Sequence, residues 1–184
     1  DKLVLMSADL CYINKPAQEK ICEAVRKATG LTKDQIVIHS THTHTGPVVS
    51  MGAGGSLVKT DEESESAKLT REYGQLLCRK FADAAVMALA DLKPAKMGWA
   101  VGHAPNIAFV RRFRMKDGKV RTNPGVGNPD ILHPIGDVDE RVNVLRFDRE
   151  GGETIVLANM GCHPDVVGGS LISGDWPTLF RAQM

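Results

Sequence analysis

Ile36-Val37-Ile38-His39-Ser40-Thr41-His42-Thr43-His44-Thr45-Gly46-Pro47 begins with three β-branched apolar residues and ends in a turn. The apolar run predicts a buried strand, and the polar stretch after it marks where that strand ends. Upstream, Leu3-Val4-Leu5-Met6-Ser7-Ala8 reads as another buried strand. Between the two lies a helix with its own punctuation. Asn14 is placed to cap it, Pro16 sits in its first turn and Gly30 follows its last turn. Ala17, Ile21, Ala24, Val25 and Ala28 fall three and four apart and form one apolar stripe. Strand, helix, strand in this order is a βαβ unit, whose two strands run parallel and whose crossover is right-handed.

Working outward, residues 51–62 carry Gly52, Gly54 and Gly55 and then charges, which predicts a mobile loop over the end of the second strand. A long helix is expected from about Ser64 to Leu92. Leu69, Tyr73, Leu76, Leu77, Phe81, Ala84, Ala85 and Ala88 supply its apolar stripe, and Pro94 stops it. The second half is strand-rich. Lys96 to Ala104 alternates loosely, and Val142–Phe147 and Thr154–Met160 flank a Gly151-Gly152 turn as a hairpin. Lys116-Asp117-Gly118-Lys119 reads as a turn, and residues 121–140, rich in Pro, Gly and Asn, as one long irregular loop. The expected class is α/β: a mixed sheet with an early parallel βαβ unit, helices packed on the sheet and a strand-rich second half. Both ends read like interior sequence, so residues 1–184 are expected to be a single domain cut from a larger one.

Composition narrows the function. The 184 residues carry a formal charge of +1, with acidic and basic side chains nearly cancelling. No basic excess exists to bind phosphates, so nucleic acid is not an expected partner. No apolar run approaches the roughly 20 residues that span a bilayer, and the opening strand-like segment is not a leader peptide. Cys11, Cys22, Cys78 and Cys162 are scattered among apolar neighbours and read as buried free thiols, not a disulfide framework. Compartment and oligomeric state are not readable.

Three of the six histidines, His39, His42 and His44, crowd into six residues at the end of the second strand. On extended backbone, residues two apart share a face. His42 and His44 would then project together at the C-terminal edge of a parallel sheet, where open α/β folds place ligands. Neutral imidazole is the commonest protein ligand for zinc, but two such histidines equally fit a hydrogen-bonded structural role. His163 ends another apolar strand in Gly161-Cys162-His163-Pro164-Asp165, beside a Gly-containing loop. It is a candidate third ligand or acid/base, or else a loop anchor. Asp9, at the end of the first strand, could orient His42 or His44, and Asp175 in Ser173-Gly174-Asp175-Trp176-Pro177 could cap a helix or orient a histidine. Arg111, Arg112 and Arg114 are either a solvated basic edge or a source of an oxyanion-binding guanidinium. His-Glu-x-x-His, the His-x-His-x-Asp-His arrangement and the Gly-x-Ser-x-Gly elbow are all absent from the sequence.

At these residues the chain resembles the neutral/alkaline non-lysosomal ceramidase family, in its N-terminal catalytic domain. The resemblance rests on Thr41-His42-Thr43-His44-Thr45-Gly46-Pro47, with Val110-Arg111-Arg112, Asp139–Phe147, Gly161-Cys162-His163-Pro164 and Ser173-Gly174-Asp175-Trp176-Pro177 following in order. Thr45 stands where the family usually has Ser, and Val110 where an Asn commonly precedes the Arg. The resemblance implies a zinc amidohydrolase that cleaves N-acyl sphingoid bases, and hence a place in sphingolipid metabolism. It implies zinc ligated by His42 and His163, with His44 beside the scissile carbonyl and Arg111 also lining the site. The family completes its zinc shell with a Glu and a Tyr from beyond the matching stretch. A small-molecule or lipid amide substrate and a secreted or periplasmic setting are implied in the same way. Two other expectations stand beside it: a non-catalytic ligand-binding or assembly domain of the same fold, and a metallohydrolase acting on another amide or ester. A lipid amidase needs an apolar channel. Low aromatic content offers no obvious one, with Trp99 and Trp176 expected to be packed or at a turn.

Overall fold

The computed structural model describes residues 2–49 and 64–184. The loop expected at residues 51–62 lies outside them. The chain is α/β and divides into two compact units, one formed by residues 1–92 with 164–184 and the other by residues 93–163.

The first unit is built on the βαβ unit. Strands β1 (Val4–Ala8) and β2 (Ile36–Ser40) pair in parallel with Val4 opposite Ile36 and Ala8 opposite Ser40. Helix α1 (Lys15–Thr29) joins them. Asn14 is its cap, accepting from the Ala17 N–H at 3.1 Å, and Gly30 ends it in the left-handed region at φ 74° with its N–H on the Arg26 carbonyl. A side chain would be strained at that φ, which is why glycine ends the helix. Ala17, Ile21, Cys22 and Val25 are its buried face. Helix α2 (Glu65–Ala90) is capped by Ser64, and the two helices pack on each other.

The core joins Val4, Met6 and Ile36 of the strands to Ile21 and Val25 of α1 and to Leu77, Phe81 and Ala85 of α2. Two expectations are corrected here. Leu5 and Val37 are exposed, so the strands are buried on one face only; an apolar run cannot say which face is covered. The stripe of α2 is narrower than expected, because Leu69, Leu76, Ala84 and Ala88 are exposed and Gly74 joins the buried set.

The second unit is antiparallel. Strands β3 (Ala95–His103), β7 (Arg141–Arg149) and β8 (Ile155–Met160) form a three-stranded sheet in the order β3-β7-β8, including the expected hairpin. Strands β4 (Arg112–Met115), β5 (Val120–Thr122) and β6 (Ile131–Pro134) form another, in the order β5-β4-β6. The expected irregular loop at 121–140 therefore contains pairing strands. Gly118, at φ 77°, makes the expected turn between β4 and β5. Trp99, expected to be packed or at a turn, is 76% exposed on the edge strand β3, and its register opposite Leu145 puts them on one apolar face with Met97 and Leu157. No helix among the described residues is long and apolar enough to cross a membrane. Helix α3 (Asp175–Gln183) returns the chain to the first unit.

The core assignment predicts that Ile21→Ala, at a fully buried position, costs about 2–5 kcal/mol of stability. Val37→Ala on the open face should cost less than about 1 kcal/mol. Urea denaturation of both variants checks the difference.

Candidate metal centre

The parallel ladder of the first unit does not stop at the strand ends. Thr41 donates its N–H to the Ala8 carbonyl at 2.9 Å, and His42 donates to the Leu10 carbonyl at 3.0 Å. These bonds carry the segment after β2 alongside the segment after β1, so Cys11 and His42 meet at one edge. His42 then turns to φ 70°, a left-handed backbone that histidine tolerates better than most side chains. The two histidines were expected to share a face on extended backbone. They do come together, but across this bend: β2 has ended at Ser40.

The ring geometry is specific. His42 Nδ1 lies 2.6 Å from the Cys11 carbonyl oxygen, which accepts only a proton-bearing nitrogen. That bond puts the proton on Nδ1 and the lone pair on Nε2. His44 Nε2 stands 3.3 Å from His42 Nε2, the rings edge to face with centroids 4.8 Å apart. Both rings are exposed. The Cys11 sulfur is 3.8 Å from His42 Nδ1, and one donor atom from each of Cys11, His42 and His44 lies within 4.8 Å of the others. Burial, with the Asp165 carboxylate adding to it, pushes the Cys11 thiol above its ordinary pKa, so the metal-free side chain is a neutral thiol.

The loop that carries His44 is held from behind. Thr43 is fully buried, and its hydroxyl donates to the Ser173 carbonyl at 2.9 Å; Thr45 Oγ1 donates to the same oxygen at 3.1 Å. Ser173 N–H returns a bond to the Thr45 carbonyl. Gly46 is required by close approach, since a Cβ there would stand 2.6 Å from the Asp9 carbonyl oxygen. His44 N–H donates to the carbonyl of Pro164, the residue that follows His163 in the sequence, at 3.3 Å. Asp175, 2% exposed, accepts the N–H groups of Val166 at 2.9 Å and Val167 at 2.8 Å on Oδ2, and that of Trp176 on Oδ1. It fixes the chain just past His163.

Asp9 is at the same strand edge, yet its carboxylate goes to Thr41 Oγ1 at 3.1 Å and to both guanidinium nitrogens of Arg181 at 3.0 and 2.6 Å. Arg181 therefore ties α3 to the end of β1, a partner that sequence spacing could not reveal. His163 and Arg111 belong to the second unit. His163 is three residues past the end of β8, and Arg111 is exposed just before β4, its carbonyl accepting from Asn123 N–H at 2.8 Å. Cys11 was missed as a site residue because it reads as one more thiol among apolar neighbours. Its place just beyond β1 was the available signal. None of the four cysteines is in a disulfide, and only Cys22 among them is buried.

The hydrogen bonds from Arg181 lower the Asp9 pKa below the usual 3.8, outweighing the opposing effect of burial. A lowered folded-state value means stability that is present above the unfolded pKa and lost as pH falls through the folded one. Arg181→Gln should therefore be destabilised near neutral pH, with its gap to the wild type closing in acid. Chemical denaturation across a pH series measures this; a gap that does not change with pH would mean that Arg181 acts by packing alone.

No protein-family model matches the sequence, and no curated protein matches it. Among solved structures, the chain is similar to a ceramidase complexed with C2, with a TM-score of 0.64 and 20% identity over 94% of this chain and 25% of that one. It is similarly related to neutral ceramidase from Pseudomonas aeruginosa, with a TM-score of 0.63 and 20% identity over 94% of this chain and 26% of that one. The chain thus spans about a quarter of the length of these structures. At this identity the likeness is one of fold, and the fold is that found in neutral ceramidases.

Proposed function

We propose that this chain carries part of the active site of a zinc-dependent, ceramidase-like hydrolase that cleaves a carbon–nitrogen amide bond. The observation that carries the reading is the 3.3 Å separation of His42 Nε2 and His44 Nε2, with His42 Nδ1 committed to a backbone carbonyl. An imidazole anchored through Nδ1 presents Nε2 as a zinc ligand, so the residues present fit the ion, and the second ring stands next to it. The ceramidase fold supports the substrate class. In this reading His42 and His163 are ligands, and the chain is one part of a larger catalytic domain that supplies the rest of the shell.

A zinc ion held there supplies Lewis acidity toward the amide carbonyl and makes water nucleophilic near neutral pH. The Cys11 carbonyl keeps the His42 lone pair aimed at the site. His44, next to it, offers an N–H to the oxygen of the scissile amide as negative charge builds up there. Arg111 is assigned a guanidinium contact with the same oxygen or with a polar group of the substrate. Asp175 holds the backbone after His163, and Asp9 holds α3 against the edge from which His42 projects. The substrate class is a lipid amide of the N-acyl sphingoid type, and the setting that goes with it is secreted or periplasmic.

Elemental analysis tests the metal assignment. The wild-type protein is expected to hold near-stoichiometric zinc, and His42→Asn and His163→Ala to lose most of it. Asn is chosen at position 42 because it tolerates the positive φ. Full zinc retention in both variants would refute the ligand assignment. An amide panel, run on the longest soluble form of the protein, should show hydrolysis of N-acyl sphingoid bases in preference to short amides and esters.

A further inference from the structure

We propose that the loop from Asp165 to Ile172 is an interfacial anchor, which seats the candidate centre on a zwitterionic lipid surface by inserting aliphatic side chains. The inference rests on the reading of the substrate as a lipid amide and adds the surface from which that substrate is taken. Both feet of the loop stand on the segment that carries His44. At its start, the Pro164 carbonyl accepts the His44 N–H at 3.3 Å, and a carboxylate oxygen of Asp165 lies within 4.8 Å of a His44 ring nitrogen. At its end, the Ser173 carbonyl accepts the Thr43 and Thr45 hydroxyls, and the Ser173 N–H donates to the Thr45 carbonyl. The loop therefore leaves and rejoins the first unit beside this histidine.

Between its feet the loop is aliphatic. Val166 is 77% exposed, Leu171 83% and Ile172 78%, and Val166-Val167-Gly168-Gly169-Ser170-Leu171-Ile172 holds no charge. A single exposed leucine needs no explanation, but three such side chains on one short loop beside a site make a patch. Side chains this exposed stand out from the protein surface. That shape suits entry into a soft hydrocarbon layer, whereas a pocket gripping one acyl chain would cover them. Asp175 holds the Val166 and Val167 N–H groups, and Gly169 turns the chain at φ 100°, where a side chain would be strained. Feet fixed in this way reduce the ordering that insertion costs. An N-acyl sphingoid base is held with its hydrocarbon chains in a bilayer or micelle, so its hydrolase must reach it there. The one ionised side chain of the loop, Asp165, is negative and does not complement anionic headgroups. The attachment is therefore hydrophobic, and the matching surface carries no net charge.

Flotation of the longest soluble form of the protein with phosphatidylcholine vesicles tests this without turnover. The wild type should float with the vesicles, and raising the salt concentration should not release it. Burying one leucine or isoleucine shifts an equilibrium by roughly tenfold or more. Leu171→Ser combined with Ile172→Ser should therefore bind at least about tenfold more weakly, while keeping its circular dichroism spectrum and its zinc. Val126→Ser, at a fully exposed aliphatic position of the second unit, should bind like the wild type. The double variant should also lose turnover of N-acyl sphingoid bases embedded in vesicles and retain that of a soluble short-chain analogue. Binding that needs phosphatidylserine or is released by salt would overturn the anchor. So would a double variant that binds like the wild type, or an equal loss in Val126→Ser. A protein that hydrolyses N-acyl sphingoid bases yet binds no vesicles would overturn the anchor and leave the hydrolase reading standing. Vesicle binding that depends on Leu171 and Ile172, without any amide hydrolysis, would support the anchor and overturn the hydrolase reading alone.

Discussion

Everything at the candidate centre depends on the parallel register that sets Ala8 opposite Ser40. Because both strands point the same way, the residues that follow them emerge at the same edge. The backbone bonds from Thr41 to Ala8 and from His42 to Leu10 extend that order past the sheet. An antiparallel pairing would send the segment bearing Cys11 and the segment bearing His42 to opposite ends. The parallel arrangement is in turn imposed by α1, whose buried face supplies Ile21 and Val25 to the core that the strands share. Core packing and the donor cluster are thus two readings of one crossover.

The polar groups behind the histidines serve as a rigid mount. The Ser173 carbonyl accepts two threonine hydroxyls, Thr43 being wholly buried, so both of its lone pairs have partners. The Asp175 carboxylate gathers three backbone N–H groups, and the Asp9 carboxylate takes a bidentate guanidinium. The threonine bonds to Ser173 and the Arg181 bonds to Asp9 connect stretches more than a hundred residues apart in sequence. They compensate for the desolvation of the carboxylates that make them, since a buried acid without partners would be costly.

What could be read from the sequence follows the range of the interactions. The βαβ unit was legible because caps, periodicity and the Gly30 stop are local signals, and α2 was legible for the same reason. The sheet β5-β4-β6 was not. Its strands are three or four residues long, lie in Pro- and Gly-rich sequence, and shift register between Arg114 and Met115. The open faces bearing Leu5, Val37 and Trp99 were hidden because an apolar residue does not announce what covers it. His42 and His44 were legible as a pair from their spacing, and the fold resemblance was legible from the ordered motifs. The bend that brings the rings together, the Arg181 partner of Asp9 and the place of Cys11 depend on long-range contacts that no local pattern encodes.

The backbone of His42, at φ 70°, carries a consequence for how this position can vary. Two filters act on it at once: the ring must reach the Cys11 carbonyl, and the residue must accept a left-handed conformation that costs most side chains roughly 1–2 kcal/mol. Valine, isoleucine and threonine fail the second filter, whereas asparagine, aspartate and glycine pass it. A lineage that gave up the imidazole would therefore drift toward those small or amide-bearing residues instead of sampling the whole alphabet. The pattern of replacement at position 42 would then record a constraint of chain geometry that outlives the chemistry.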